Sequence, residues 1–351
     1  MKRLTGLSRW LNVLLILTTF IAYLSPYISP MTFWPVSIFG LAFPLLFILN
    51  FLFFLYWVFR RNKYFLFSLC CMLLGWGHFN SNFGFSISDF PKDQNEISVV
   101  NFNTRNLKHV YRNKNKQQLA IQTKNFEEWL SENKTDVFLF QEITSRRIKN
   151  LNKIVGLPYL FQPKGKRVAI LSRYPIKSSG IIELNSVNHL ALWADLEVAK
   201  DHIIRFYSLH LKSSYLNRNA IDAVAAGKVR EKKTWLGIWS LIKVYKNHAY
   251  TRVGQSQKVL EHIQKSPYPV VVGGDFNEPT TSYIYRQFNK KLKDAFRTAG
   301  KGFGSTYAGK IPLLKIDFLF YDPRLRVLEH KIERKPFSDH YPVRTRLSWD
   351  R

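Results

Sequence analysis

The sequence predicts an α+β domain behind a membrane anchor, and three observations carry that reading. Long uncharged apolar stretches fill residues 1–83. From residue 96 to 351, short β-type runs alternate with helix-period segments and turn residues. A short polar interval, 84–95, joins the two as a linker. Interleaved strands and helices over residues 96–351 suit two packed sheets flanked by helices.

Taken in chain order, the anchor comes first. No charge interrupts Leu11 to Tyr27 or Phe33 to Phe59, and a third apolar stretch runs from Tyr64 to Phe79. A helix needs about 20 apolar residues to cross the hydrocarbon core, so the expectation is about three transmembrane helices, the third the shortest. Ala22–Ser29 offers no small-x-small site, which argues against a cleaved signal peptide. Lys2, Arg3 and Arg9 precede the first stretch, and Arg60, Arg61 and Lys63 separate the second from the third. The positive-inside rule places these cations in the cytoplasm. Three spans then deliver the rest of an integral inner or plasma membrane protein to the extracytoplasmic side, the periplasm in a two-membrane bacterium. An interfacial third segment would instead keep it cytoplasmic. Pro35, Pro44 and Asn50 read as packing features. Cys70 and Cys71, the only cysteines, read as small hydrophobes.

Beyond the linker, several apolar runs end in polar groups. Ile97–Val100 leads into Asn101-Phe102-Asn103, and Asp136–Phe140 leads into Gln141-Glu142. His210 closes the alternating run Ile204–Leu211, and Tyr268–Val272 opens into Gly273-Gly274-Asp275-Phe276-Asn277. Leu314–Tyr321 carries Asp317, and Ser338-Asp339-His340 follows. Each cluster alone is ordinary turn chemistry; five in order are not. A carboxylate can activate water, and an amide can hold a phosphoryl oxygen without adding repulsive charge.

In these residues the sequence resembles the endonuclease/exonuclease/phosphatase superfamily. The matching stretches are VVNFNTRNL (99–107), DVFLFQEI (136–143), AILSRYPI (169–176), FYSLHLKS (206–213), VVVGGDFNEP (270–279), KIDFLFY (315–321) and SDHYPV (338–343). The resemblance implies a four-layer αββα sandwich and a metal-dependent phosphodiester or phosphomonoester hydrolase. By the same resemblance Glu142 is the main ligand of a catalytic Mg²⁺ (or Mn²⁺), with Asn103 beside it and Asp339 completing the site. Asp275 corresponds to the residue that orients or deprotonates water, and Asn277 to the one that grips the phosphate. His340 corresponds to the phosphate-contacting histidine, with Asp317 holding its tautomer. His210 resembles a histidine near the leaving group in the deoxyribonuclease and sphingomyelinase branches. Lys315 stands where the family commonly has Arg, replacing a bidentate contact by a point charge.

The chemistry is coherent on its own terms. Phosphoryl transfer calls for a cation on the non-bridging oxygens, an in-line oxygen nucleophile, and positive charge for the leaving oxygen. Mg²⁺ takes few carboxylates and keeps its waters. The lack of cysteine beyond Cys71, and of any HExxH spacing, argues against zinc.

Net charge points to anionic partners. The chain carries +28, of which +23 lies beyond residue 90. Such a field attracts nucleic acid and equally an anionic membrane surface. The leading expectation is a nuclease. The alternatives are a phospholipid phosphodiesterase or phosphatase, sphingomyelinase-like or phosphoinositide-phosphatase-like, and a non-catalytic basic binding protein. Gln117–Glu132 and Gly254–Lys265 read as amphipathic helices. Lys228–Lys246 sets Trp235, Ile238, Trp239, Ile242 and Tyr245 at helical spacing, as a helix packed on the sandwich or lying at the lipid interface.

Overall fold

The computed structural model describes residues 2–86, 95–112, 115–184, 189–213, 232–309 and 313–349. Residues 87–94 of the expected linker and 228–231 of the expected helix lie outside that set.

Two six-stranded mixed sheets form the centre. The first runs in the order β13 (Leu325–Ile332), β14 (Val343–Trp349), β2 (Glu96–Asn103), β3 (Val137–Gln141), β5 (Ala169–Ser172) and β4 (Tyr159–Phe161). The second runs β10 (Lys293–Asp294), β12 (Asp317–Tyr321), β9 (Val270–Asp275), β8 (His202–His210), β7 (Ala191–Ala199) and β6 (Ile176–Ile182). The pairs β2/β3 and β8/β9 are parallel, and their neighbours are antiparallel.

Side-chain alternation builds the layers. Val99, Leu139, Ile170, Phe206, Val271 and Leu319 point between the sheets. Their neighbours Val100, Phe138 and Phe140 point outward, against Phe126, Trp129, Ile148 and Leu151 of the helices Lys116–Glu132 and Ser145–Val155. On the other outer face, Tyr207, Leu209 and Val272 meet Val253, Val259, Ile284 and Phe288. The fold is therefore the expected α+β sandwich of two mixed sheets flanked by helices. Gly273 permits a close approach of the sheets, since a Cβ there would sit 2.5 Å from the Leu139 side chain.

The amphipathic segments read at 228–246 and 254–265 belong to one helix, Lys232–Gln264, with no proline to break it. Its stripe packs only in part. Tyr245 is buried, whereas Trp235 and Trp239 are 60% and 63% exposed.

At the N-terminus, α1 (Lys2–Leu24) is followed by α2 (Pro30–Phe33), α3 (Pro35–Leu41), α4 (Phe43–Phe59), α5 (Phe65–Leu74) and α6 (Trp76–Phe79). Within α1, Gly6–Leu24 is long and apolar enough to cross a membrane. α3 and α4 reach that length only together, bent by 61° at their junction. α5 has ten residues and rises about 15 Å, half of a hydrocarbon core. Polar side chains register α1 antiparallel to α4 and parallel to α5. Ser8 meets Tyr56, Asn12 bonds Trp57 and Ser68, Asn50 bonds Thr19, and the Tyr23 hydroxyl donates to the Cys71 carbonyl. Asn50 thus has the packing role read for it.

β1 (Phe83–Phe85) then pairs antiparallel with β11 (Lys301–Phe303), so part of the interval read as linker is a strand.

Candidate active site

Strand register assembles the site. His210 at the end of β8 pairs with Asp275 at the end of β9, which pairs with Asp317 at the start of β12. Asn103 on the other sheet pairs with Gln141, one residue before Glu142. The sheets pack with these ends together, so residues from five chain segments meet. A polar network supports them from beneath: buried Gln141 donates to Asn101 on the neighbouring strand at 2.9 Å and to Ser208 on the other sheet at 3.0 Å.

Asp275 is the hub. Its Oδ2 accepts from Asn103 Nδ2 at 2.9 Å and lies 3.8 Å from His340 Nε2 and 3.9 Å from His210 Nε2. Burial, with Asp317 nearby, pushes its pKa up to about 6, although His340, His210 and the Asn103 amide pull the other way. His340 Nδ1 is 2.9 Å from Asp317 Oδ2. Burial opposes the charged imidazole, but Asp317, Asp275 and Asp339 outweigh it and raise His340 to about 10. Asp275, Asp317 and His340 lie within 4.8 Å of one another, close enough to share an ion.

His210 is buried, and among the described residues neither ring nitrogen has a hydrogen-bond partner. Its Nε2 stands 3.7 Å from Glu142 Oε1, beyond direct bonding and within reach of a bridging atom. Asn277 adopts φ 52°, its N–H bonded to Asp275 Oδ1 and its amide to the Leu211 carbonyl. The expected site residues are thus brought together, with Asp339 on the rim, held by Arg105 at 2.6 Å.

The donor set fits a hard divalent cation. Glu142 is partly exposed to the cleft, with Asn103 Nδ2 at 3.4 Å and His210 Nε2 at 3.7 Å from its Oε1. Carboxylate oxygens of Glu142 and Asp339, with waters, suit Mg²⁺. Asn103 presents its amide nitrogen to the two carboxylates, while its oxygen accepts from the Arg105 backbone.

Sequence reasoning missed several contributors. Arg105, Asn106 and Leu107 form a run of left-handed residues that carries the Arg105 guanidinium to Asp339. The Thr306 hydroxyl accepts from the Ile316 and Asp317 N–H groups, and Tyr307 bridges His340, their rings 5.4 Å apart. The His189 ring lies tilted against that of His210, centroids 4.9 Å apart, its pKa lowered to about 3 by burial and neighbouring cationic groups. Lys315 does not face the cleft; its ammonium is buried against Asp294 at 2.9 Å. These contacts join distant loops, and no sequence pattern announces them.

The chain belongs to the endonuclease/exonuclease/phosphatase family, whose model matches residues 78–340. It is accordingly a hydrolase of phosphoester bonds, in a family generally dependent on divalent metal. Residues 5–82 match a domain of unknown function. Among solved structures, an endonuclease/exonuclease/phosphatase family protein from Bacteroides thetaiotaomicron is similar at 18% identity and a TM-score of 0.53, covering 74% of this chain and 100% of that one. A mannosyl-6-phosphatase from the same organism is 19% identical, with a TM-score of 0.50, 72% of this chain and 100% of that one. Humanized TDP2 of D. rerio is 16% identical, with a TM-score of 0.52, 72% of this chain and 99% of that one. These identities speak to fold alone. A comparison with curated proteins finds no match.

Proposed function

We propose that this protein is a membrane-anchored, divalent-metal-dependent phosphodiesterase whose catalytic domain, residues 96–351, faces away from the cytoplasm. Nucleic acid is its leading substrate. The observation that carries the reading is the convergence of Glu142, Asn103, Asp275, Asp317, His340 and His210 where the ends of the two sheets meet.

Glu142 would hold Mg²⁺ or Mn²⁺, with Asn103 beside it and Asp339 as a further carboxylate. When bound, the ion supplies positive charge to the non-bridging phosphate oxygens. Asp275 orients the attacking water and takes its proton, its free lone pairs aimed by the Asn103 amide. Asn277 holds a phosphoryl oxygen once its amide leaves Leu211. His340, kept cationic and fixed in one orientation by Asp317, faces the charge that develops on phosphate. His210 donates toward the leaving oxygen.

Residues 1–83 are the anchor. Arg9 stacks over Tyr64 at 5.1 Å, beside Arg60, Arg61 and Lys63, so the cations gather at one end of the bundle. The opposite end meets the catalytic domain, which supports the extracytoplasmic orientation.

The +23 beyond residue 90 favours nucleic acid. A lipid phosphodiester is the second reading, favoured by an apolar pocket of about 60 Å³ between the bundle and β11, lined by Phe43, Phe47, Phe79, Phe83, Phe303 and Leu313. Full-length protein in nanodiscs with Mg²⁺, offered plasmid DNA, RNA, and sphingomyelin or phosphoinositide vesicles, separates the two. Nucleic-acid cleavage lost in Asp275→Asn supports the first reading. Lipid turnover alone replaces it with the second, and turnover of none defeats both.

A further inference from the structure

We infer that the membrane bundle is part of the scaffold of the active site: Gly40 and Asn82 clamp Thr281 and Thr280, and so fix the loop that carries Asn277. The inference rests on the site proposed above and goes beyond it, because it makes hydrolysis depend on residues outside the catalytic domain.

The clamp starts from a proline. In an unbroken helix the Gly40 carbonyl accepts from the N–H four residues on, but that residue is Pro44, which has none. A carbonyl freed in this way inside an apolar bundle is costly unless another group bonds it. Here the donor is the buried Thr281 hydroxyl, 2.7 Å from Gly40 O. The approach is too close for a larger residue: a Cβ on Gly40 would lie 2.3 Å from Ser25 Oγ and 3.1 Å from the Thr281 carbonyl. Thr281 is four residues after Asn277, in the stretch Glu278–Ser282, which is buried throughout.

A second contact grips the same loop. Asn82 Nδ2 donates to Thr280 Oγ1 at 2.7 Å, and the Asn82 carbonyl accepts from Gly304 N at 2.7 Å. The Ser81 carbonyl accepts from Lys315 Nζ at 3.3 Å, two residues before Asp317. From the far side, buried Arg252 holds Glu278 at 2.7 Å and donates to the Lys212 carbonyl, two residues after His210. The loops bearing Asn277, Asp317 and His210 are thus braced in part against the anchor. Thr280 and Thr281 touch no reacting atom; they act through the loop and are positioning residues.

The test uses full-length protein in nanodiscs, bis(p-nitrophenyl) phosphate with Mg²⁺, and hydrogen exchange read over residues 276–285. Thr281→Val is expected to lower kcat about tenfold or more with little change in KM, while Thr281→Ser restores it. Gly40→Ala, in the bundle, is expected to reproduce the kcat loss. Both Thr281→Val and Gly40→Ala should speed exchange at 276–285. Wild-type kcat together with wild-type protection in Thr281→Val and Gly40→Ala overturns the inference. Should the wild-type protein hydrolyse nothing, the site reading fails and exchange alone decides the clamp. Should Thr281→Val not fold, Gly40→Ala decides it.

Discussion

Asn103 and Asp275 lie 172 residues apart on different sheets, yet the amide nitrogen of one is 2.9 Å from a carboxylate oxygen of the other. This single bond joins the two halves of the sandwich at the chemistry. It also gives the buried carboxylate a donor that favours its charged form.

Asn103→Ala therefore leaves Asp275 buried with one donor fewer, and its pKa rises further. The expected result is a fall in kcat of about 10²-fold, with the acid limb of the kcat/KM profile moved to higher pH. Rates from pH 5 to 9 check it; an unmoved acid limb counts against Asp275 as the base.

Asp275→Asn should abolish hydrolysis and stabilise the fold. The folded pKa, about 6, lies above the ordinary 3.8. The carboxyl thus contributes stability that is full below pH 3.8 and is lost as pH rises through 6. At pH 7.5 the ionised group costs on the order of 2–3 kcal/mol, which the amide avoids. Thermal midpoints at pH 7.5 should favour the variant, and the gap should close at pH 4.

Glu142→Gln removes the charge offered to the cation. The Mg²⁺ concentration for half-maximal rate should rise at least about tenfold, the cost of losing an ionised ligand. An unchanged Mg²⁺ titration assigns the ion elsewhere, to Asp275, Asp317 and His340 first.

Orientation has a direct readout. An alkaline phosphatase reporter fused after Asn95 should be active, because that enzyme works only outside the cytoplasm, and a cytoplasm-dependent reporter there should be silent. The reverse pattern makes the short third segment, α5 with α6, a surface element and not a span.

Much of this arrangement was legible in the sequence because strand ends announce themselves. Asp275 and Asn277 follow an apolar run directly, and His210 closes an alternating one, so type and position could be read together. What alternation does not encode is the pairing of distant loops. Arg105 reaches Asp339 through a left-handed run that residue type signals only at Asn106, since Arg and Leu rarely take positive φ. Thr306 and Tyr307 act through backbone contacts to Asp317 and His340, invisible until β12 and the C-terminal loop are adjacent. Lys315 stands two residues before Asp317, where a phosphate or a carboxylate contact was open to it; the side chain turns away from the cleft and takes the Asp294 carboxylate. The third apolar stretch has the composition of a span, but its helix stops at Leu74 before Gly75.

The most direct test of the central claim is the rate of bis(p-nitrophenyl) phosphate hydrolysis by the full-length protein, with Mg²⁺ and with excess EDTA, beside His340→Ala. The account predicts hydrolysis with Mg²⁺ that EDTA abolishes, that Mg²⁺ or Mn²⁺ restores, and that falls by about 10³-fold in the variant. Full activity in EDTA, or an undiminished rate in His340→Ala, would contradict it.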